Sequence, residues 1–205
     1  NLDAKLRVHM RSELAQLHRS LQATFVYVTH DQAEAMTMSN RIAVMMDGVV
    51  VQIGSPAEVY GRPADLRVAE FIGSPKINVL PGEVADGRLT VLGRAPGAMA
   101  AGVSGRCHVA IRPESMILSD GGDGWPATVG HIENMGAEIF VHLDLPQLAA
   151  PVIARLDHAA AVPPMGAAVG VRLPVEALHL FDAQGRRMAG ALTRLAAPTP
   201  RERAY

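Results

Sequence analysis

The residue in this chain best placed for chemistry is His30. It follows the run TFVYVT, residues 24 to 29, and precedes Asp31, which has Glu34 three positions further on. The run is continuously apolar or β-favouring, the pattern of a strand covered on both faces of a mostly parallel sheet. Asp31 with Glu34 matches the capping pattern that opens a helix, so a helix is predicted from Gln32. A histidine where a strand ends and a helix begins occupies the crevice in which open α/β sheets bind ligands. Its imidazole can donate a hydrogen bond from one nitrogen while the other is anchored. By position alone, it reads as well as a structural residue.

Other chemistry is sparse. Among the eight histidines, His108, His131, His142, His158 and His179 fall on separate predicted strands or their connections, and none forms the i, i+4 pair of a helical zinc site. No metal site is expected. Cys107 is the only cysteine, which excludes an internal disulfide and fits a reducing compartment. A phosphate-cradling loop needs a glycine-rich stretch ending in Gly-Lys followed by Ser or Thr, and the sequence has none.

The elements that would position His30 come from periodicity. Leu6, Met10, Leu14, Leu17 and Leu21 recur at steps of three or four and mark one helix face. RIAVMM (41–46) and VVVQI (49–53) flank Asp47-Gly48, a dipeptide that predicts a tight hairpin. Ser55-Pro56 and Arg62-Pro63 place prolines where two short helices can begin. Beyond Gly73-Ser74-Pro75 glycine and proline become frequent. GRLTVL, RCHVAIR, PATVGHIE, EIFVHLDL, PVIARLD and GVRLP then read as short antiparallel strands. The Gly/Ala-rich stretch 93–105 is expected to be a mobile loop, and the tail from Ala196 poorly ordered.

Composition sets the outer limits. With 205 residues, 49% of them hydrophobic, the chain can bury a substantial core. A formal net charge of -1 and 4% aromatic residues argue against a nucleic-acid partner. No apolar run approaches the roughly 20 residues that a membrane-crossing helix needs. Because the chain opens at Asn1, in a helical pattern, it is expected to be a fragment or a processed chain.

Four ordered segments carry a resemblance: NLDAKLR (1–7), YVTHDQAEAMT (27–37), RIAVMMDGVVVQIGSPAEVY (41–60) and FIGSPKIN (71–78). Together they resemble the carbohydrate-importer class of ABC transporter ATPases, strongly to about residue 80 and more weakly to about residue 183. The fold implied is the α/β C-terminal part of an ABC ATPase (P-loop NTPase) domain at 1–78, an all-β OB-like or MOP-like (TOBE) regulatory domain at 79–195, and a tail at 196–205. HVAIRPESMIL (108–118), IENMGAEIFVHLDL (132–145) and LPVEALHLFD (173–182) look like the regulatory part. There Arg112, Pro113 and Glu114 read most simply as a turn with a local ion pair.

By this resemblance His30 is the switch histidine, a catalytic residue that contacts the γ-phosphate of ATP and helps position the attacking water. Asp3 ends the D-loop and helps hold the facing active site across a dimer interface, with a simpler reading as a charge complementing the first helix's N-terminus. Asp31 and Gln32 match the motif and equally suit helix capping. The implied function is that of the energising subunit of an importer for glycerol-3-phosphate or a sugar. ATP and magnesium act in the full-length parent, and none is expected tightly bound to this fragment. The implied partners are a second ATPase subunit, transmembrane permease subunits, indirectly a solute-binding protein, and a cytosolic regulator, at the cytoplasmic face of a bacterial inner membrane. The P-loop, the Gln loop, the LSGGQ signature and the magnesium-holding acidic strand end are expected before Asn1, so the isolated chain is expected not to hydrolyse ATP. The alternative is a non-enzymatic regulatory or dimerisation module that binds a partner protein or a small effector such as an anion.

Overall fold

The computed structural model describes residues 4–21, 23–119, 123–190 and 192–194. Helix α1 (Ala4–Leu21) follows the predicted periodicity, yet Met10, Leu14, Leu17 and Leu21 on its apolar face are exposed. The strand expected at residues 24 to 29 does not form: the stretch has no ladder, and Val26 and Val28 are each 91% exposed. A strand exists through its neighbours, and none lies beside this run among the described residues. Helix α2 (Gln32–Met38) then starts where the capping signal placed it.

The next segment is built by local chemistry. Strands β1 (Ile42–Met46) and β2 (Val49–Gly54) pair antiparallel around Asp47 (φ 51°) and Gly48 (φ 77°), the two positive φ values that a mirror-image hairpin turn demands. Helix α3 (Pro56–Gly61) opens with a complete capping box. Ser55 Oγ accepts from the Glu58 amide at 3.3 Å, and Glu58 Oε2 accepts from the Ser55 amide at 2.8 Å. Helix α4 (Leu66–Phe71) begins at Asp65, whose carboxylate caps the Arg67 amide at 2.9 Å. Pro63 therefore precedes the helix rather than opening it. Ile42, Val44, Val59, Val68 and Ile72 bury together as a small core beneath these elements.

The remainder is all antiparallel β. Strands β3 (Asn78–Ala85), β4 (Arg88–Val91), β5 (Ala98–Ala100), β6 (Gly105–Ile111), β7 (Ile117–Ser119), β8 (Trp125–Asn134), β9 (Glu138–Asp144), β10 (Val152–Asp157), β11 (Ala168–Arg172), β12 (His179–Phe181) and β13 (Leu192–Arg194) form two sheets. One runs β10-β9-β8-β11-β7, the other β12-β6-β3-β4-β5-β13. Their inner faces share one core that includes Leu80, Val109, Val141 and Val171. Two side chains stitch the sheets together. Asn78 completes a backbone-like pair with Ile153, donating to its carbonyl and accepting from its amide, each at 2.8 Å. Trp125 Nε1 donates to the Val91 carbonyl at 3.0 Å. The stretch expected as a mobile loop contains β5, whose Ala98 and Ala100 are buried. Alanine is a poor strand former in isolation, but it fits where the sheets leave no room for a larger side chain.

Arg112 joins the helical segment to the β part. It leaves the end of β6 and is only 4% exposed. Its Nη1 donates to the carbonyls of Ala69, at 3.0 Å, and Ile72, and its Nη2 donates to that of Tyr60 at 3.1 Å. Those carbonyls end α4 and α3, where intrahelical partners run out, so one guanidinium caps two helices. The cation also lies 4.2 Å over the Tyr60 ring. Glu114 does not ion-pair with Arg112 locally, as the sequence suggested; it accepts from the Tyr60 hydroxyl. Gly73, at φ +111°, keeps the way clear, since a Cβ there would sit 2.8 Å from Arg112 Nη1.

Two stability predictions follow from this packing. Arg112→Met should strand three carbonyls and lower unfolding free energy in urea titration by about 3 kcal/mol, at roughly 1 kcal/mol for each lost partner; Gly73→Ala should also destabilise. His179 is the second case. Burial, with the Arg187 and Arg112 cations adding to it, depresses its pKa from 6.5 to about 4, and Arg187 Nη1 lies 3.4 Å from its Nδ1. The unfolded chain then binds the extra proton between those values, so the histidine's contribution is complete above about pH 6.5 and is lost as pH falls towards about 4. Urea midpoints should decline across that window, and His179→Gln should flatten the decline.

Candidate functional site

His30 sits on a short connection whose shape is set by its neighbours rather than by its own ring. Asp31 Oδ1 accepts from the amides of Ala33, at 2.8 Å, and Glu34, at 3.2 Å, fixing the start of α2. Glu34 does not return the bond to Asp31, as a full capping box would require. The Asp31 amide instead donates to Thr29 Oγ1 at 2.9 Å, and that hydroxyl donates to Glu34 Oε2 at 2.6 Å. The Tyr27 hydroxyl reaches the same carboxylate oxygen at 3.0 Å, which raises its pKa. His30 is thus flanked on both sides by residues tied to Glu34.

Gln32 secures the same turn from below. Its Nε2 donates to the Phe71 carbonyl and its Oε1 accepts from the Gly73 amide at 2.9 Å. Sequence reasoning took Gln32 for a possible cap of its own helix; it belongs instead to a long-range tie between the start of α2 and the end of α4. The His30 ring is exposed, and nothing among the described residues hydrogen-bonds it. An exposed imidazole on a braced turn can offer a ring nitrogen to an incoming oxyanion without reorganising the backbone. Asp3, the other proposed site residue, lies outside the described residues, as does the tail from Ala196.

The remaining chemistry-bearing residues divide clearly. His131 and His142, separate in the sequence, face each other across β8 and β9 with ring centroids 5.4 Å apart. His142 Nε2 lies 2.8 Å from Glu133 Oε1. Among the described residues no three His, Cys, Asp or Glu side chains are grouped to hold a metal ion. Cys107 is buried in the sheet core, which pushes its thiol pKa up and suits an inert packing residue. Tyr60, held between Arg112 and Glu114, has its hydroxyl pKa raised to about 12, by burial first and the carboxylate second. The role of Arg112 escaped sequence reasoning because its partners lie 40 to 52 positions away.

With this geometry in place, comparison with known proteins is informative. Residues 109–181 match the TOBE domain family. The sn-glycerol-3-phosphate import ATP-binding protein UgpC of Yersinia pestis bv. Antiqua is 46% identical over 191 residues, covering 89% of this chain and 52% of the relative. Its namesake in Escherichia coli O6:K15:H31 is 43% identical over 198 residues, 92% of this chain and 54% of the relative. That of Yersinia enterocolitica is 45% identical over 202 residues, with the same coverage of 92% and 54%. The chain spans about half the length of the curated relatives it matches. Antiparallel sheets throughout the matched segment agree with the OB-like β architecture expected of it. No helix among the described residues is long and apolar enough to cross a membrane. Over about nine-tenths of its length the chain is similar to sn-glycerol-3-phosphate import ATP-binding proteins, and its residues 109–181 match the TOBE domain family.

Proposed function

We propose that this chain serves in the ATP-binding subunit of an ABC importer for sn-glycerol-3-phosphate, with residues 1–78 belonging to the nucleotide-binding part and 79–195 to a regulatory part. The observation that carries the reading is the exposed His30 ring on a turn braced by Asp31, Glu34 and Gln32, in a chain 46% identical over 89% of its length to an import ATP-binding protein. In this reading His30 donates a hydrogen bond to the terminal phosphate of ATP and orients the attacking water. The braced turn keeps it in place as charge develops on the transferred group. Asp3 lies across the interface from a second copy of the subunit. The partners are that copy and the membrane permease, at the cytoplasmic face. Magnesium would accompany ATP as its counterion.

Uncovered apolar surface also supports the reading. The face of α1, the run Phe25 to Val28, and Met45, Val50 and Ile53 on the outer side of the β1-β2 hairpin are all exposed. Apolar area on this scale suits burial against further protein.

The test uses the full-length subunit assembled with its permease. His30→Ala should cut ATP turnover by about a hundredfold while leaving nucleotide binding unchanged. Undiminished turnover would remove His30 from the mechanism. The chain alone, lacking a phosphate-cradling motif, should release no phosphate from ATP above background. Magnesium-dependent turnover by a clean preparation would defeat the proposal.

A further inference from the structure

The outer face of the β8-β9 hairpin carries a histidine pair that neither the nucleotide reading nor the sheet core uses. Alternation alone would not put it there. Val129 is 1% exposed and belongs to the core, so His131, two positions on, should point inward as well. The ladder slips at Gly130, between the Val129–Leu143 and His131–His142 pairs, and the parity reverses. His131 turns to solvent while Ile132 packs against the core. His131 and His142 thereby become direct cross-strand partners, with ring centroids 5.4 Å apart. The Asp144 carboxylate lies over the bulge, its Oδ2 2.5 Å from where a Cβ on Gly130 would stand.

One of the two rings is already oriented. His142 Nε2 donates to Glu133 Oε1 at 2.8 Å, which leaves Nδ1 of the neutral ring with a free lone pair. A carboxylate that fixes an imidazole's tautomer in this way is the usual outer partner of a metal-bound histidine. The spacing of the rings agrees. Zinc–nitrogen bonds are about 2.0–2.1 Å and a ring nitrogen stands roughly 1.1 Å from its centroid, so centroids 5.4 Å apart subtend about 115° at a shared metal, near the tetrahedral angle. Glu133 and Asp144 place negative charge beside the rings, and Arg155 on the neighbouring β10 is engaged with Glu138 at 2.9 Å.

We propose that His131 and His142 chelate a divalent transition metal of the zinc class on the outer face of the β8-β9 hairpin, with Glu133 orienting His142. Imidazole nitrogen suits zinc, nickel and copper, whereas calcium and magnesium take oxygen ligands. No three His, Cys, Asp or Glu side chains are grouped as ligands among the described residues, so two imidazoles are the protein's share and water completes the coordination. A metal held this way clasps β8 to β9 at the residue just past the bulge. The inference goes beyond the importer reading and does not depend on His30.

The experiment titrates the full chain, free of any histidine tag, with zinc chloride in a calorimeter, and calcium chloride serves as the control. One equivalent of zinc bound with Kd below about 100 μM, and no response to calcium, is the expected result. His131→Ala and His142→Ala should each weaken binding about tenfold or more, and the two together should abolish it. Glu133→Gln keeps the shape and removes the charge, and should weaken binding about tenfold. All three side chains lie on the solvent side of the sheet, so the variants should fold, which circular dichroism verifies. The other histidines of the chain remain in every variant, so zinc held elsewhere would survive the double substitution. Zinc binding weaker than about 100 μM, or unchanged affinity in the folded double variant or in Glu133→Gln, would overturn the proposal.

Discussion

A single buried cation organises this molecule. Arg112 stands at the end of β6 and reaches back over 40 to 52 positions to the carbonyls that finish α3 and α4. Short helices are marginal by themselves, because each leaves as many unpaired end groups as it makes internal bonds. Here some of the missing bonds are supplied from the β part, so the ends of α3 and α4 are tied to the sheet. The cation carries a desolvation cost, and burial lowers its pKa. Three carbonyl acceptors, the face of Tyr60 and the nearby Glu114 carboxylate offset that cost, while Nε remains unpartnered. The geometry leaves no slack, which is why glycine stands at position 73.

This arrangement links the proposed nucleotide-facing turn to the rest of the chain by a short path. Gln32 ties the start of α2 to Phe71 and Gly73, and the carbonyl of the adjoining Ile72 accepts from Arg112. The path from His30 to β6 therefore runs through hydrogen bonds and two or three peptide units. Rigid, satisfied contacts of this kind hold the backbone that carries His30, although nothing among the described residues packs on the ring itself.

What could be read in the sequence was whatever local chemistry decides. Asp47-Gly48, the Ser55-Pro56 helix start and the Asp31 cap each specify their geometry within four residues, and each formed where expected. The longer β-strands were legible as short segments punctuated by glycine and proline. Residues 24 to 29 were misjudged because strand-forming side chains do not create a strand without a partner ladder. The stretch 93–105 was misjudged in the opposite sense: three alanine-rich residues gain a strand from β4 and β13 alongside them. The role of Arg112 escaped notice because its partners are assembled by tertiary register, and an arginine among small or apolar neighbours carries no sign of which distant groups it will meet.

The bare run from Thr24 to Thr29 has a consequence for handling the protein. It is uncharged, free of proline and rich in β-branched and aromatic side chains, with valines turned fully to water. Such hexapeptides are seeds for stacked, intermolecular strands. The separate polypeptide thus presents, in six residues that contribute nothing to its folded core, a segment able to pair with the same segment of another copy.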